Sequence, residues 1–289
     1  MAHEPNPLAT YLRTRRDSLQ PADVGLPATA GRRVSGLRRE EVAELAGISA
    51  DYYVRIEQGR DQHPSDQVLS ALARALRLDD DARDYFFRLA RPGSQTMRSH
   101  PLSESVLRLL DYWSHTPAYL FDRNHDVLAA NQLMRALSPE VQPGHNQLID
   151  AFAGYARAVE EEQPAAVLEG WESILNQMLA ALRFSSDPND PRLHEVVGYL
   201  STTYRSFRPL WARHEARPHT GGTLHVNVDP IGWVEFRWQA LEVSNAPGQY
   251  LVTYLVEPDT HAAAAIAYLL SIRRPGASDF RSDQPSPDA

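Results

Sequence analysis

The feature that most constrains the fold is a pair of short helical patterns joined by a glycine within residues 38–76. Apolar side chains from Val42 to Ala46 recur on one face of a first helix. Gly47 follows where the chain must turn sharply, a position at which a left-handed backbone favours glycine. Ser49 is a favoured N-cap for the next helix. Two short helices joined by a tight glycine turn predict a helix-turn-helix.

The second of these helices has an inward face made by Tyr53 and Ile56, which are three residues apart. The residues that are left on its outward face are Ala50, Asp51, Tyr52 and Arg55. In a helix-turn-helix the second helix enters the major groove of DNA. The pattern therefore predicts a double-stranded DNA operator as partner, although a plain helical bundle that binds no DNA also fits a helix–glycine–helix run.

The full pattern is more specific, because the Ala46–Ser49 turn and the ending Ile56-Glu57-x-Gly59 resemble the Xre or phage-repressor type of helix-turn-helix. This resemblance implies that residues of the second helix face base edges or the sugar-phosphate backbone and that nearby arginines reach phosphates. It also implies that Glu57 faces away from DNA, so we expect an ion pair within the domain. The implied DNA contacts are Arg38, Arg39, Ser49, Ala50, Asp51, Tyr52, Arg55 and Arg60.

A loop at residues 20–36 precedes this pattern and ends in a basic run that includes Arg32 and Arg33. Two interpretations stay open for these arginines, a basic arm in an adjacent DNA groove or a solvated loop. With the runs 32–42 (RRVSGLRREEV) and 57–60 (EQGR), most of residues 8–90 resembles the MmyB-like transcription regulators. That resemblance implies a C-terminal ligand-binding domain.

Charge and composition fit such a division. The 289 residues suggest two domains, and the net charge of −8 taken alone argues against nucleic-acid binding. However, residues 1–98 hold 15 Arg against 14 acidic residues, so the acidic excess lies in the rest of the chain. Cysteine is absent, which excludes disulfides and thiolate metal sites. No segment approaches the roughly 20 apolar residues of a membrane span, so we expect a cytoplasmic protein without membrane insertion.

The second part of the chain has two strand patterns at 118–122 and 126–130, a helical middle, three strand patterns from 223 to 257 and a last helix. This order resembles a PAS-like module, an antiparallel sheet with helices over one face. The run 207–214 (FRPLWARH) fits the MmyB-like pattern, whereas 229–232 (DPIG) lacks an expected histidine. The predicted fold is an all-α helix-turn-helix domain plus an α+β PAS-like domain.

Aromatic residues are dense in this second part. Alternation at 233–241 places Val234, Phe236 and Trp238 on one sheet face. The family resemblance implies a small apolar ligand such as a fatty acid, covered by helices at 164–184 and 193–207; a fully packed core without a cavity is the alternative. The candidate ligand contacts are Tyr119, Phe121, Phe152, Tyr155, Trp171, Phe207, Trp211, Phe236 and Trp238, and the candidate carboxylate anchors are Arg205, Arg208 and Arg237.

Catalytic and metal patterns are not evident. His214-Glu215-x-x-x-His219 lacks the spacing of a zinc helix, and no nucleophile elbow or phosphate loop is recognisable, so we expect no cofactor, no metal and no enzyme activity. The predicted domains are 1–92, a linker at 93–101, 102–273 and a disordered tail at 274–289. We predict a homodimeric transcription regulator that binds a ligand. A ligand-free PAS-like dimerisation domain and an autoregulated enzyme remain alternatives.

Overall fold

A computed structural model describes residues 6–27, 34, 36–61, 63–91 and 101–272. Arg32, Arg33, the predicted tail and most of the predicted linker lie outside these residues. The described chain forms two compact units, the first drawn from residues 1–98 and 151–219 and the second from residues 99–150 and 220–289. The first unit therefore combines the N-terminal helices with a helical segment much later in the sequence.

The secondary structure of the described residues consists of helices and five strands. The α-helices are α1 (Pro7–Ser18), α2 (Arg39–Ala46), α3 (Ala50–Glu57), α4 (Asp66–Ala75), α5 (Asp80–Ala90), α6 (Glu104–Tyr112), α7 (Gln132–Leu137), α8 (Gln147–Glu160), α9 (Ala165–Ser185), α10 (Pro191–Thr203), α11 (Phe207–Trp211) and α12 (His261–Ile272). A short 3-10 helix spans Pro21–Val24. The strands are β1 (Ala118–Asp122), β2 (Val127–Ala130), β3 (Gly221–Val228), β4 (Gly232–Glu242) and β5 (Gln249–Leu255).

Local capping sets the ends of the N-terminal helices. Gly47 ends α2 in the left-handed region with φ of 67°, and the Ser49 side chain accepts from the Tyr52 amide at the start of α3. Ser65 and Asp79 cap α4 and α5 in the same way. These hydrogen bonds satisfy amide donors that a helix start leaves without partners. The predicted turn between α2 and α3 is present.

The apolar core of the first unit joins the five helices α1 to α5. Its fully buried side chains include Leu12, Val42, Tyr53, Leu72 and Phe86. The later segment also contributes, because Ala216 is buried in the same core and Phe184 packs against it. Burial of these side chains, at about 25 cal/mol per Å² of apolar surface, is the main stabilising contribution that this packing supplies.

The second unit contains one antiparallel sheet with the strand order β2-β1-β5-β4-β3. Side chains along β4 alternate between exposed and buried, with Val234, Phe236 and Trp238 buried and Trp233 and Glu235 exposed. This alternation is the one that the sequence predicted. A helical N-terminal region and an α+β region with an antiparallel sheet confirm the predicted fold class.

Helices cover both faces of this sheet, whereas the sequence predicted helices over one face. Residues of α7 and α12, such as Met134 and Ile266, pack on the face that carries Phe236. Leu110 of α6 packs with Leu120 and other residues of the opposite face. The difference arises because β1, β2 and β5 have apolar residues on both faces, and α6 covers the second set. None of the described helices is both long enough and apolar enough to cross a bilayer.

Candidate functional site

The outward side of α3 is the candidate surface for reading DNA bases. Asp51 and Arg55 are exposed, whereas Ala50 and Tyr52 are half-buried and also pack against the core. On the opposite side, Tyr53 and Ile56 are fully buried. The helix therefore presents its predicted polar residues to solvent while its apolar residues fix its orientation.

Arg55 is held by a neighbour on the same helix. Its guanidinium carbon lies 5.4 Å from the centre of the Tyr52 ring, which is a cation–π distance. The Tyr52 ring in turn packs against the core. This contact restricts the Arg55 side chain while leaving it exposed.

Beneath α3, the carboxylate of Glu57 is fully buried and ties three helices together. Arg16 of α1 donates from Nε to Glu57 Oε1 at 2.6 Å, Tyr53 donates its hydroxyl to the same oxygen at 3.2 Å, and Arg39 of α2 donates from Nε to Oε2. Burial would raise the pKa of Glu57, but the hydrogen bonds and charges of Arg16 and Arg39 outweigh it and hold the pKa below its usual value. The predicted ion pair of Glu57 is thus present, with both partners now identified.

The candidate phosphate contacts lie at the ends of these helices. Arg39 remains 42% exposed although its Nε bonds to Glu57. Arg38 and Arg60 are exposed, as is Ser49 at the start of α3. The backbone amide of Arg38 donates to Glu41 at 2.7 Å, which fixes the start of α2. Arg32 and Arg33 lie outside the described residues, so their placement stays a prediction.

The candidate ligand contacts fall into both units. In the second unit, Tyr119, Phe121, Phe236 and Trp238 are buried within the core of the sheet, α7 and α12. Burial raises the pKa of Tyr119 to about 12, although a hydrogen bond with Gln147 acts in the opposite direction. The Phe121 ring stacks on Tyr250 with centroids 5.3 Å apart.

In the first unit, three ligand candidates meet in what we call the aromatic cluster: Phe152, Phe207 and Trp211. The ring centres of Phe152 and Phe207 are 5.6 Å apart, as are those of Phe207 and Trp211. Phe152 and Phe207 are fully buried, whereas Trp211 is half-buried. The cluster joins α8 to α11, whereas the helices that the sequence predicted to cover a ligand, at 164–184 and 193–207, correspond mainly to α9 and α10.

The other two candidates of this unit lie where α8 meets α9. Trp171 rests on Gly154, where an added Cβ would lie 2.6 Å from the Trp171 ring. Tyr155 donates its hydroxyl to Glu172 at 2.9 Å. Glycine at position 154 therefore permits a close approach of the two helices.

Arg183 is a buried residue at this site that the sequence reasoning missed. Its terminal nitrogens donate to the carbonyls of Trp211 at 2.6 Å and of Glu215 at 2.9 Å, and its guanidinium carbon lies 3.8 Å from the Trp211 ring centre. Burial lowers the pKa of Arg183 to about 10, so it stays charged at neutral pH. An arginine near the end of a largely apolar helix was the available signal.

The three arginines that we considered as anchors for a ligand carboxylate are exposed. Arg208 donates from Nε to the Ser201 carbonyl at 3.3 Å, and Arg237 pairs with Glu257 at 3.2 Å. Arg205 is exposed in the segment between α10 and α11. Because all three are exposed, burial does not distinguish one of them as the carboxylate anchor.

His214 and His219, the two histidines that follow α11, are half-buried. Burial lowers the pKa of His214 and of His219 to about 4, so both are neutral at physiological pH. Among the residues that the structure describes, no group of three or more acidic or histidine side chains is placed to hold a metal ion.

Comparison with known families gives two matches. Residues 102–270 match the family model described as the MmyB-like transcription regulator ligand binding domain. Residues 7–86 match a helix-turn-helix domain model. A comparison with curated protein sequences gave no match.

Proposed function

The chain belongs to the MmyB-like transcription regulators and is a helix-turn-helix DNA-binding regulator with a ligand-binding domain, and we propose that it binds its operator as a homodimer and senses an apolar molecule such as a fatty acid. This family consists of transcription regulators, not enzymes. We propose residues 1–92 and 102–273 as the two functional domains. A cytoplasmic location is proposed as well, because a transcription regulator must reach its DNA.

The exposed side of α3 is the observation that carries the DNA proposal. We place α3 in the major groove with Ala50, Asp51 and Arg55 towards base edges. Arg55 suits guanine, whose O6 and N7 accept two hydrogen bonds from a guanidinium. Asp51 repels phosphate but can accept from cytosine N4, which would make it a base contact rather than a backbone contact.

Phosphate contacts surround this helix in the proposal. Arg39 and Arg60 would reach phosphates on either side of α3, with Arg38 as a third contact and Tyr52 against the sugar-phosphate. Arg39 is oriented by Glu57 and remains partly exposed, which fits a role in positioning. Ser49 lies at the start of α3 beside them, and Arg32 and Arg33 are proposed to reach an adjacent groove.

Two substitutions test the DNA proposal with DNA selected from a random pool. Arg55→Ala should cost about 1–3 kcal/mol on the selected site and weaken the preference over scrambled DNA. Arg39→Ala should weaken binding to all sequences similarly and reduce the salt dependence. If Arg55→Ala binds the selected site with unchanged preference, α3 is not the recognition helix.

A homodimer is proposed because one module offers few phosphate contacts and the acidic remainder of the chain opposes DNA binding. Two modules would double those contacts and read two half-sites, which in this motif class lie about 10 bp apart or a multiple of that spacing. A footprint with a single unpaired half-site at saturating protein would contradict the dimer.

The ligand proposal is supported by the family match and by the density of buried aromatic side chains. We propose that an alkyl chain contacts the aromatic cluster, with Tyr155 and Trp171 nearby, and that Tyr119, Phe121, Phe236 and Trp238 are the candidates of the second unit. The eight methylenes and the methyl of a ten-carbon fatty acid contribute about 7 kcal/mol when they are buried. Association costs about 4–15 kcal/mol, so binding is favourable only when the cost lies at the lower end of that range.

The ligand test uses delipidated full-length protein. Native mass spectrometry reports bound mass and dimerisation together, and calorimetry with decanoic acid reports affinity. Trp171→Ala should weaken decanoate binding, whereas Trp233→Ala is the matched control, because Trp233 is 62% exposed on β4. If decanoate gives no binding heat at several temperatures and no change in the thermal midpoint, the ligand-free dimerisation domain becomes the better interpretation.

A further inference from the structure

The last turn of α9 contacts helices on two sides through adjacent residues. Arg183 holds the end of α11, since it donates to the Trp211 and Glu215 carbonyls and stacks on the Trp211 ring. Arg183 is 7% exposed, and its buried donors bond to these two main-chain carbonyls. Movement of α11 therefore acts directly on this turn.

Phe184 holds α5 on the other side of the same turn. The guanidinium carbon of Arg88 lies 4.1 Å from the centre of the Phe184 ring and 5.9 Å from that of Tyr85. Phe184 also packs against the apolar core of the DNA-binding helices. One turn of helix thus fixes α11 through Arg183 and α5 through Phe184.

The contacts continue from α5 to the recognition helix. Tyr85 and Phe86 of α5 meet the Tyr11 ring of α1 at centroid distances of 5.2 and 6.1 Å. Five residues further along α1, Arg16 donates to the buried carboxylate of Glu57 at 2.6 Å. On the opposite side, Trp211 belongs to the aromatic cluster. All these contacts lie within the first unit.

The contact between α5 and α9 is localised. An open cleft of about 690 Å³ lies beside Phe184 and is lined on the α5 side by Asp80, Arg83, Asp84, Phe87 and Arg88. Phe184 is the α9 residue that lines this cleft. A change at Phe184 can therefore alter how α5 is held without breaking an extended core.

We propose that the last turn of α9 couples the aromatic cluster to the DNA-binding helices, with Arg183 and Phe184 as positioning residues. This inference rests on the proposed ligand function for its physiological input, but the mechanical link requires no ligand. A ligand that favours one arrangement of Trp211 would shift the position of α9 and, through Phe184, that of α5. The shift is limited to the difference in ligand affinity between the two arrangements.

A double-mutant cycle measured by hydrogen exchange tests the link in the full chain without ligand. Trp211→Leu should speed exchange of the α5 amides about 3- to 10-fold, within the usual range for coupled sites. In a Phe184→Ala background the same substitution should have almost no further effect on α5. An equal effect in both backgrounds, or no effect in either, would overturn the proposal. If Trp211→Leu only lowered the stability of the whole protein, exchange of the α5 amides would speed up equally in both backgrounds.

Two further variants keep this test decisive. Trp233→Leu removes an exposed tryptophan of the second unit and should leave α5 exchange unchanged. Arg183→Lys keeps a buried charge but loses the fork that spans two carbonyls. If Trp211→Leu does not fold, Arg183→Lys takes its place in the cycle, with the same expected result and the same refuting result.

DNA binding with decanoic acid as probe separates this proposal from the ligand proposal. If decanoate binds and changes DNA affinity in the wild type but not in Phe184→Ala, both proposals are supported. If decanoate changes DNA affinity equally in both proteins, the α9 link is wrong and the ligand proposal stands. If decanoate does not bind but the exchange cycle shows coupling, the link stands and the fatty-acid proposal fails.

Discussion

Replacing Glu57 with glutamine removes the buried negative charge between two arginines while keeping an oxygen that can accept from Tyr53. Arg16 is buried, and the variant leaves the exposed Asp17 as its remaining carboxylate partner. Removing one partner of a buried pair costs about 3–5 kcal/mol. We expect a loss of about 3 kcal/mol in the free energy of unfolding, the lower end of that range, because Arg39 is partly solvated and the amide retains hydrogen bonds.

The pH dependence of stability provides a second readout. Since the pKa of Glu57 is lowered on folding, its carboxylate stabilises the fold above the unfolded pKa, for which the ordinary value is 4.5. That stabilisation is lost as the pH falls through the lower folded pKa. The difference in unfolding free energy between wild type and Glu57→Gln should therefore be constant near neutral pH and shrink in acid.

Urea denaturation followed by circular dichroism measures both effects. Asp17→Asn is the matched control, because Asp17 also pairs with Arg16, at 2.6 Å, but is 55% exposed. An exposed pair contributes about 0–1 kcal/mol, so this variant should remain close to wild type. A loss below about 1 kcal/mol in Glu57→Gln, with an unchanged acid limb, would refute the assigned role of Glu57.

Two further predictions concern α3 and the helix glycines. Tyr52→Ala should reduce the preference of Arg55 for the selected DNA site about 2- to 5-fold, whereas Tyr52→Phe should keep it; competition with scrambled DNA measures both, and an equal loss would assign the effect to the hydroxyl. Gly47→Ala should lower the unfolding free energy by about 1 kcal/mol, because φ at Gly47 is +67°. Gly170→Ala within α9, where nothing lies within 4 Å of an added Cβ, should raise it by about 0.5–1 kcal/mol. Equal destabilisation at the two glycines in urea would contradict this explanation.

Local signals made the helix-turn-helix predictable from sequence. A left-handed glycine, a serine cap and inward residues three apart depend on neighbours within one or two turns. The roles of these residues can therefore be predicted from the sequence next to them, as they were for Gly47, Ser49, Tyr53 and Ile56. The same is true of β4, where alternation separates the buried Phe236 from the exposed Glu235.

Contacts between distant segments were not predictable in this way. Phe184 meets Arg88 almost a hundred residues earlier, and nothing in either local pattern specifies the other. Sequence periodicity shows that a face is apolar but not which helix covers it, which is why the position of α6 over the second sheet face was not predicted. Arg183 was overlooked for a related reason, since its partners are main-chain carbonyls, which carry no residue-specific signal.

The discontinuous first unit has a consequence for the order in which the protein is synthesised. Its N-terminal helices leave the ribosome long before residues 151–219 exist, so Tyr85, Phe86 and the rest of their core lack Phe184 and Ala216 as neighbours for that interval. Exposed apolar surface on a nascent chain favours aggregation and chaperone binding. A fragment that stops near residue 98 would keep that surface permanently exposed, so such a fragment should be less soluble than the full-length chain.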